Sequence, residues 1–154
     1  RAGRSIPEEH AFAHVAGYLV ANDVSQRDVQ RAHGGQWLKG KSMDATMPIG
    51  PWLTTADEID PADLELTLTR NGEVLQSAST GEMAFSIPRI IAELSRGMTL
   101  RPGDLVLTGT PSGIGNAREP QVFLQPGDEI VSTVAGLGSL RNRIVAADLS
   151  SYRA

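Results

Sequence analysis

Two short segments carry the residue types with which an enzyme can bind a metal ion and stabilise a developing negative charge. The first, Asn22–Asp28, contains two aspartates and an arginine, and the second, Gly40–Asp44, contains Lys41. The first segment follows an apolar, strand-like run, and the second lies in a loop rich in glycine and proline. A carboxylate at the end of a strand can bind a metal, and a lysine brought back to it supplies a fixed positive charge. These segments are therefore a candidate active site.

The candidate cluster has four members. Asp23 and Lys41 are its acid and its cation, while Arg27 and Gln30 are spaced i, i+3 and so share one face of a predicted helix. Taken alone, Asp23 has the simpler explanation of an acid near a helix start, and Lys41 that of a solvated loop residue. Four such side chains brought close together favour a functional site.

A P-loop pattern overlaps the same region. Gly35–Ser42 matches G-x-x-x-x-G-K-[ST], which binds phosphate only between a buried strand and a helix N-terminus. The residues before it do not form a strand pattern, and Pro48 and Pro51 limit any helix after it to about one turn. A nucleotide site is therefore not expected here.

A third polar segment, Gly109–Gly115, follows a predicted strand at Leu105–Thr108. Pro111 and the absence of a helical pattern after it argue against a dinucleotide-binding turn. Two interpretations remain open. The segment is either a simple flexible turn, or a rim on which Thr110 and neighbouring amides contact a carboxylate or carbonyl group.

The histidines give weaker signals. His10 and His14 are spaced i, i+4, but no third metal ligand lies at a recognisable spacing, so helical histidines outside any metal site are the preferred interpretation. His33 precedes two glycines and is interpreted as a helix-end residue. No serine–histidine–acid order indicates nucleophilic catalysis.

Composition narrows the class of protein. The 154 residues suffice for one domain with a core, and 40% apolar and 21% charged residues are typical of a soluble globular protein. The net charge of −4 argues against nucleic acid and anionic membranes as partners. The absence of cysteine excludes disulfides and thiolate sites. No apolar run approaches the ~20 residues that span a bilayer, so a cytoplasmic protein is expected.

The elements expected in the first half of the chain are few. They are a helix over Pro7–Val15, a strand over Gly17–Val24, a helix of about two turns capped by Ser25 with Asp28 in a capping box, and a long loop over 34–51.

The second half is expected to be rich in strands. Alternation from Leu64 to Leu68, followed by Asn71-Gly72, predicts a hairpin with a type I′ turn. A helix capped by Ser86 should run to about Arg96 and stop at Gly97. Similar Pro-Gly turns should introduce the strands that begin near 105 and 129, and a last pair of strands is predicted over 129–134 and 140–146. The fold class is therefore α+β, predominantly β.

The same segments, taken together, resemble the fumarylacetoacetate hydrolase superfamily. The resemblance extends over nearly the whole chain, in order. It is carried by Gly17-Tyr18, Asn22–Asp28, Gln36–Asp44, Leu107–Gly115, Pro126–Glu129 and Gly136–Gly138.

The resemblance implies a single catalytic domain over 1–154, a mixed β-sandwich or β-roll with a few short helices, usually a homodimer. It implies Mg²⁺ as the cofactor, with Mn²⁺ or Ca²⁺ as alternatives, and Asp23 as a metal ligand. Lys41 and Arg27 would be catalytic, Lys41 as the cation that stabilises an enolate or oxyanion. Gln30, Gly109 and Thr110 would bind or orient a small 2-oxo acid substrate.

The implied activity is hydrolysis of C–C bonds in 2,4-diketo (acylpyruvate-like) acids through a metal-stabilised enolate. A 2-hydroxydienoate isomerase or an oxaloacetate-type decarboxylase is the alternative within the superfamily. Two features depart from the family pattern: Ala45 replaces a common threonine, and the upstream E-x-E metal motif and histidine–glutamate pair have no match. The domain is therefore expected to be truncated at its N-terminal side. If the sequence were complete, a non-catalytic remnant would be the alternative.

Overall fold

The computed structural model describes residues 1–146, which form a mostly β structure with short helices. The strands are β1 Gly3–Arg4, β2 Gly17–Ala21, β3 Ile49–Thr55, β4 Glu65–Arg70, β5 Glu73–Ser79, β6 Thr99–Leu100, β7 Glu129–Val134 and β8 Gly138–Arg143. The α-helices are α1 Arg27–Ala32, α2 Trp37–Gly40 and α3 Ile87–Ser95. Short 3₁₀ helices span Glu8–His14, Thr80–Glu82 and Gly115–Ala117. The predicted α+β class, predominantly β, is confirmed.

A four-stranded antiparallel sheet in the order β5-β4-β7-β8 forms the centre, and β2–β3 and β1–β6 form two-stranded ribbons. One core cluster joins the β2–β3 ribbon to the sheet through Val20, Val134 and Leu137. A second cluster packs the first 3₁₀ helix on α3 through Ile6, Ala11 and Ile91. Burial of apolar side chains at these two places is what holds the small elements to the central sheet.

The predicted hairpin and its turn are confirmed. Asn71 and Gly72 have φ values of 52° and 85°, as a type I′ turn requires. The Asn71 side chain donates to the Asp128 carboxylate at 2.7 Å and accepts from the Glu129 N–H at 2.8 Å, which ties the turn to the start of β7. The Gln125 N–H and then this Asn71 bond hold the pKa of Asp128 below its ordinary value.

The helix α3 also forms as predicted. Ser86 Oγ accepts from the Arg89 N–H at 3.3 Å, and Gly97, with a φ of 72°, lies just after the helix end. Ile91 is buried against Ile6 and Ala11, whereas Leu94 is 41% exposed. Arg89 forms an ion pair with Glu8 at 3.0 Å, linking α3 to the first 3₁₀ helix.

Three predictions in the first half need correction. The helix predicted over Pro7–Val15 is a 3₁₀ helix, and β2 ends at Ala21 rather than Val24. Ser25 is not a cap: its Oγ donates to the Asp23 carbonyl at 3.3 Å. Gln26 occupies the N-cap position of α1, and its N–H bonds to the Gly40 carbonyl at 2.8 Å. This long-range backbone bond outweighs the local capping signal.

The segment 34–51 was predicted to be a loop, but it contains α2 and the start of β3. Gly50-Pro51 made a strand improbable, since proline is confined to edges and bulges of sheets. Within residues 1–146, β3 pairs only with β2, and their register shifts between Tyr18 and Val20, opposite this part of β3. The bulged edge position accommodates the proline.

The prediction of a strand over Leu105–Thr108 is wrong, because the structure describes these residues and 101–110 contain no strand. Leu105 and Leu107 are 51% and 41% exposed. Both predicted Pro-Gly turns do form, since Gly103 and Gly127 have φ values of 94° and 98°, but only the second leads into a strand. The last strand is Gly138–Arg143, shifted towards the N-terminus from its predicted 140–146.

No helix in residues 1–146 combines the length and the apolar content that crossing a membrane requires.

Ser95 offers a direct test of this packing. Its side chain is fully buried, and its Oγ accepts from the Ile6 N–H at 2.9 Å. We expect Ser95→Ala to lower the free energy of unfolding by about 1–3 kcal/mol, because it leaves a buried N–H without a partner. Urea denaturation measures this change. Ser77→Ala on the exposed part of β5 is the control, and equal loss in both variants would contradict the assignment.

Candidate active site

Asp23 is fixed by backbone hydrogen bonds on both sides. The Asn22 N–H donates to the Pro48 carbonyl at 3.1 Å, and the Val24 N–H donates to the Thr46 carbonyl at 3.0 Å. These bonds continue the β2–β3 pairing beyond the end of β2. Asp23 therefore lies where the chain leaves the β2–β3 ribbon. The segment that begins there, contains α1 and α2 and returns to β3 is called the excursion below.

Gly40 closes this excursion. The Gln26 N–H donates to its carbonyl, and a Cβ added at Gly40 would lie 2.8 Å from the Gln26 oxygen and 2.9 Å from the Gln30 Cβ. Distances below about 3.0 Å are sterically forbidden for a Cβ. Only glycine therefore lets the end of α2 pack against α1, and this contact sets the position of the next residue, Lys41.

Lys41 and Asp23, 18 residues apart in sequence, form an ion pair in which Nζ lies 2.6 Å from Oδ2. The Lys41 side chain is 22% exposed and that of Asp23 is 43% exposed. The Lys41 Nζ also lies 5.6 Å from the centroid of the Trp37 ring, within the range of a cation–π contact. The ammonium group thus has a defined position between a carboxylate and an aromatic ring.

Arg27 and Gln30 lie together, as their spacing predicted. Arg27 Nη1 donates to Gln30 Oε1 at 2.9 Å, and Gln30 Nε2 reaches the Gly35 carbonyl at 3.5 Å. Gln30 thus orients the Arg27 guanidinium. Arg27 lines the large cavity described below, whereas Gln30 is not among the residues that line it.

Gly109 and Thr110 lie on a turn that is fastened to β5. Gly109 has a φ of 113°, and the Gln76 side chain donates to Thr110 Oγ1 at 2.9 Å. Arg118 donates to the carbonyls of Gly113 and Leu75 at 3.1 and 2.7 Å. Sequence reasoning missed Gln76 and Arg118, since an isolated polar residue in a strand or loop carries no motif.

Most of the predicted site residues line one cavity of about 1360 Å³, which extends over much of the central sheet. Its lining includes Asp23, Arg27, Lys41, Gly109 and Thr110, so both candidate segments face the same space. Tyr18 lines it as well, and burial, followed by the charge of Asp60, raises the pKa of that phenol. Tyr18 is therefore neutral at physiological pH.

A divalent cation fits Asp23 as one member of a larger ligand set. Its carboxylate is a hard oxygen donor on the cavity wall, the type that Mg²⁺ prefers. Residues 1–146 contain no group of three or more His, Cys, Asp or Glu side chains able to hold a metal. Because Mg²⁺ commonly uses one or two carboxylates and completes its shell with substrate and water oxygens, one aspartate is compatible with such a site.

The remaining sequence candidates are the P-loop pattern and the histidines. In Gly35–Ser42 the helix α2 has only four residues, and Lys41 pairs with Asp23 rather than ending a phosphate loop. His33 is the C-cap of α1. His14 lines the same cavity, and its Nδ1 lies 3.1 Å from the Arg1 carbonyl oxygen.

Comparison with known proteins identifies the family. Residues 1–145 match the family model described as "Fumarylacetoacetate (FAA) hydrolase C-terminal". The chain is 46% identical over 144 residues to the mitochondrial oxaloacetate tautomerase Fahd2a of Rattus norvegicus, covering 93% of this chain and 46% of that protein. It is 43% identical over 143 residues to the 2,4-didehydro-3-deoxy-L-rhamnonate hydrolase of Sphingomonas sp. (strain SKA58), covering 92% and 50%.

Solved structures share the fold. A fumarylacetoacetate hydrolase from Exiguobacterium antarcticum superposes with a TM-score of 0.92 at 44% identity, covering 96% of this chain and 53% of that one. A fumarylpyruvate hydrolase from Pseudomonas aeruginosa, in complex with Mn²⁺ and pyruvate, gives 0.84 at 35% identity, covering 96% and 61%. The expected fold type is thereby confirmed. The chain spans about half the length of the curated relatives it matches.

The packing of α2 on α1 can be tested at Gly40. We expect Gly40→Ala to separate the two helices, because the new Cβ would overlap Gln26 and Gln30. Hydrogen exchange of the backbone amides of residues 36–41 should then be at least several-fold faster.

Gly34→Asn is the matched control for this experiment. Gly34 has a φ of 66° and no atom within 4 Å of an added Cβ, and asparagine tolerates this conformation. Unchanged exchange in Gly40→Ala would show that the close approach does not hold α2 in place.

Proposed function

The chain belongs to the fumarylacetoacetate hydrolase family, and on this basis we propose that it forms part of a divalent-metal-dependent enzyme that stabilises the enolate of a 2-oxo acid. Keto–enol tautomerisation of an oxaloacetate-like acid is the proposed reaction. The observation that carries the proposal is the Lys41–Asp23 pair, 2.6 Å apart on the wall of the shared cavity.

The bound divalent ion, proposed to be Mg²⁺ with Mn²⁺ or Ca²⁺ as alternatives, would act as a Lewis acid towards the substrate oxygens. Asp23 would contribute a carboxylate ligand. Lys41 would place its ammonium group beside the oxygen on which negative charge develops. Such a preorganised charge lowers the barrier, since it needs no reorientation during the reaction.

The remaining residues would bind and orient the acid. The Arg27 guanidinium, held by Gln30, suits a carboxylate because its N–H groups match the two oxygens of that group. Thr110 and the turn at Gly109 would contact a second oxygen of the substrate. Support for this division comes from the cavity, which Arg27, Gly109 and Thr110 all line.

Hydrolysis of a C–C bond, the reaction expected from the sequence, is the second candidate. The similarity to the 2,4-didehydro-3-deoxy-L-rhamnonate hydrolase and to the fumarylpyruvate hydrolase supports it, whereas the similarity to the oxaloacetate tautomerase supports the first candidate. Both reactions pass through the enolate of a 2-oxo acid. Tautomerisation only moves a proton between the enol oxygen and the neighbouring carbon. In hydrolysis water first attacks the distal carbonyl, cleavage of the C–C bond releases a carboxylate and an enolate, and the enolate is then protonated on carbon.

The oligomeric state, substrate class, compartment and partners of the protein remain predictions. We propose a homodimer with a small-molecule 2-oxo acid as substrate, in the cytoplasm, without nucleic-acid or membrane partners. The formal charge of −4 supports the exclusion of nucleic acid.

The proposed reaction can be tested with two substrates. We expect the full-length protein with Mg²⁺ to accelerate the loss of enol-oxaloacetate absorbance, and EDTA to remove this activity. The second candidate instead predicts faster cleavage of an acylpyruvate to pyruvate, measured by coupling to lactate dehydrogenase. Equal rates before and after metal removal would refute the metal role, and no turnover of either substrate would refute the proposed function.

The role of Lys41 has its own test. We expect Lys41→Met to lower kcat roughly 100- to 1,000-fold, the usual effect of removing one preorganised stabilising group. Lys39→Met is the matched control, since Lys39 is an exposed residue of α2 two positions away. Steady-state kinetics with Mg²⁺ in excess measure both variants, and an unchanged kcat in Lys41→Met would exclude the assignment.

A further inference from the structure

The Gln76 carboxamide contacts three hydrogen-bond acceptors on one turn. Its Nε2 is 2.9 Å from Thr110 Oγ1, 2.9 Å from the Pro111 carbonyl and 3.2 Å from the Ser112 carbonyl. Gln76 belongs to β5 and is half-buried, whereas Thr110 lies on the exposed turn 34 residues further along the chain. A single side chain of the central sheet therefore holds three consecutive residues, of which Thr110 and Pro111 line the cavity.

The donors and acceptors in this contact are unambiguous. Backbone carbonyls can only accept hydrogen bonds, so the Gln76 atom facing Pro111 and Ser112 is the amide nitrogen, not the oxygen. The same nitrogen also faces Thr110, so it donates to the threonine hydroxyl. A nitrogen with two hydrogens among three acceptors has no further donor to offer.

This contact fixes the role of the Thr110 hydroxyl. A hydroxyl group has one proton, and an oxygen that accepts from Gln76 must direct its own proton elsewhere. Within residues 1–146 that proton has no acceptor, and Thr110 lines the cavity. The hydroxyl is thereby prepared to donate to an oxygen of a bound ligand.

Two further contacts keep the turn at this distance from β5. A Cβ added at Gly113 would lie 2.1 Å from the Leu75 carbonyl, so the turn backbone rests directly on the strand. Arg118 bridges the carbonyls of Gly113 and Leu75. The turn is thus attached at Gly113 independently of Gln76, and the Gln76 contact determines the orientation of its Thr110 end.

We propose that Gln76 is a positioning residue that makes the Thr110 hydroxyl a hydrogen-bond donor to a carboxylate or keto oxygen of the substrate. This inference rests on the proposed function, since it requires that Thr110 contact a 2-oxo acid. Gln76 also lines the cavity, but the N–H groups of its side chain are directed at the turn. It acts through Thr110 and through the carbonyls of Pro111 and Ser112.

The test uses Gln76→Glu in the full-length, metal-loaded protein. A glutamate at this position accepts the Thr110 proton and repels the two carbonyls, so the hydroxyl loses its donor role. We expect KM for the 2-oxo acid to rise about tenfold with kcat changed less than about threefold, the signature of lost ground-state binding. Gln125→Leu is the matched control, because Gln125 is exposed and its side chain reaches only the Phe123 carbonyl at 3.5 Å.

A double-mutant cycle with Thr110→Val separates this role from general damage to the fold. Thr110→Val should raise KM by itself, and Gln76→Glu should then add less than about twofold, because both changes remove the same hydrogen bond. Additive effects would overturn the inference. If Thr110→Val raised KM and Gln76→Glu did not, the inference on Gln76 would fail while the proposed substrate role of Thr110 stood.

A second measurement does not depend on turnover. Hydrogen exchange at the backbone amides of 109–114 should be faster in Gln76→Leu than in Gln125→Leu, since the turn loses its attachment near Thr110. Equal exchange in the two variants would refute the positioning role. Absence of any 2-oxo acid turnover in the wild-type enzyme would instead refute the proposed function and with it the substrate role of Thr110, whatever the exchange result.

Discussion

The return of Lys41 to Asp23 across 18 residues is the interaction on which the candidate site depends. The ion pair does not produce this return, since a partly exposed pair contributes only about 0–1 kcal/mol. Backbone hydrogen bonds from Val24 and Gln26, and the close packing of Gly40 on α1, close the excursion instead. The fold therefore holds two opposite charges together, which is the condition for an electrostatic site that needs no rearrangement on binding.

The two groups of site residues that line the cavity are held in place by different parts of the fold. One wall carries the charged side chains Asp23, Arg27 and Lys41 on a short helical excursion beside β2. The other carries the turn around Thr110, which is fastened to β5 by Gln76 and by the contact at Gly113. The first wall carries charge, and on our proposal the second carries one oriented hydrogen-bond donor, the Thr110 hydroxyl. The central sheet spans both, because β5 belongs to it and β2 packs on it through Val20.

Local signals in the sequence predicted local structure well. Asn71-Gly72 specified its turn because few other residue pairs accept two positive φ values, and Ser86 specified the start of α3 by satisfying a free N–H. The failures share one cause. The start of α1 is set by a bond from Gln26 to Gly40, and β3 forms through a bulged pairing with β2, neither of which is visible in a short window of sequence. At Leu105–Thr108 the strand pattern is present, but a strand also needs a neighbour, and the described residues supply none.

The same distinction between local signals and long-range contacts applies to the candidate site. Asp23, Lys41 and Arg27 were predicted because their types and order form a motif. Gln76 was missed because its contacts with the turn at Thr110 join residues that are far apart in the sequence. The roles proposed for these residues are compatible with the similarity of the chain both to a tautomerase and to a hydrolase. In the proposed function a cation, a carboxylate and a guanidinium would act on the oxygens of a 2-oxo acid, where both candidate reactions develop charge. What separates the reactions is the placement of a proton or a water molecule beside the neighbouring carbon, which these residues do not control. Similarity over this half of the relatives therefore supports the shared enolate step more strongly than either complete reaction.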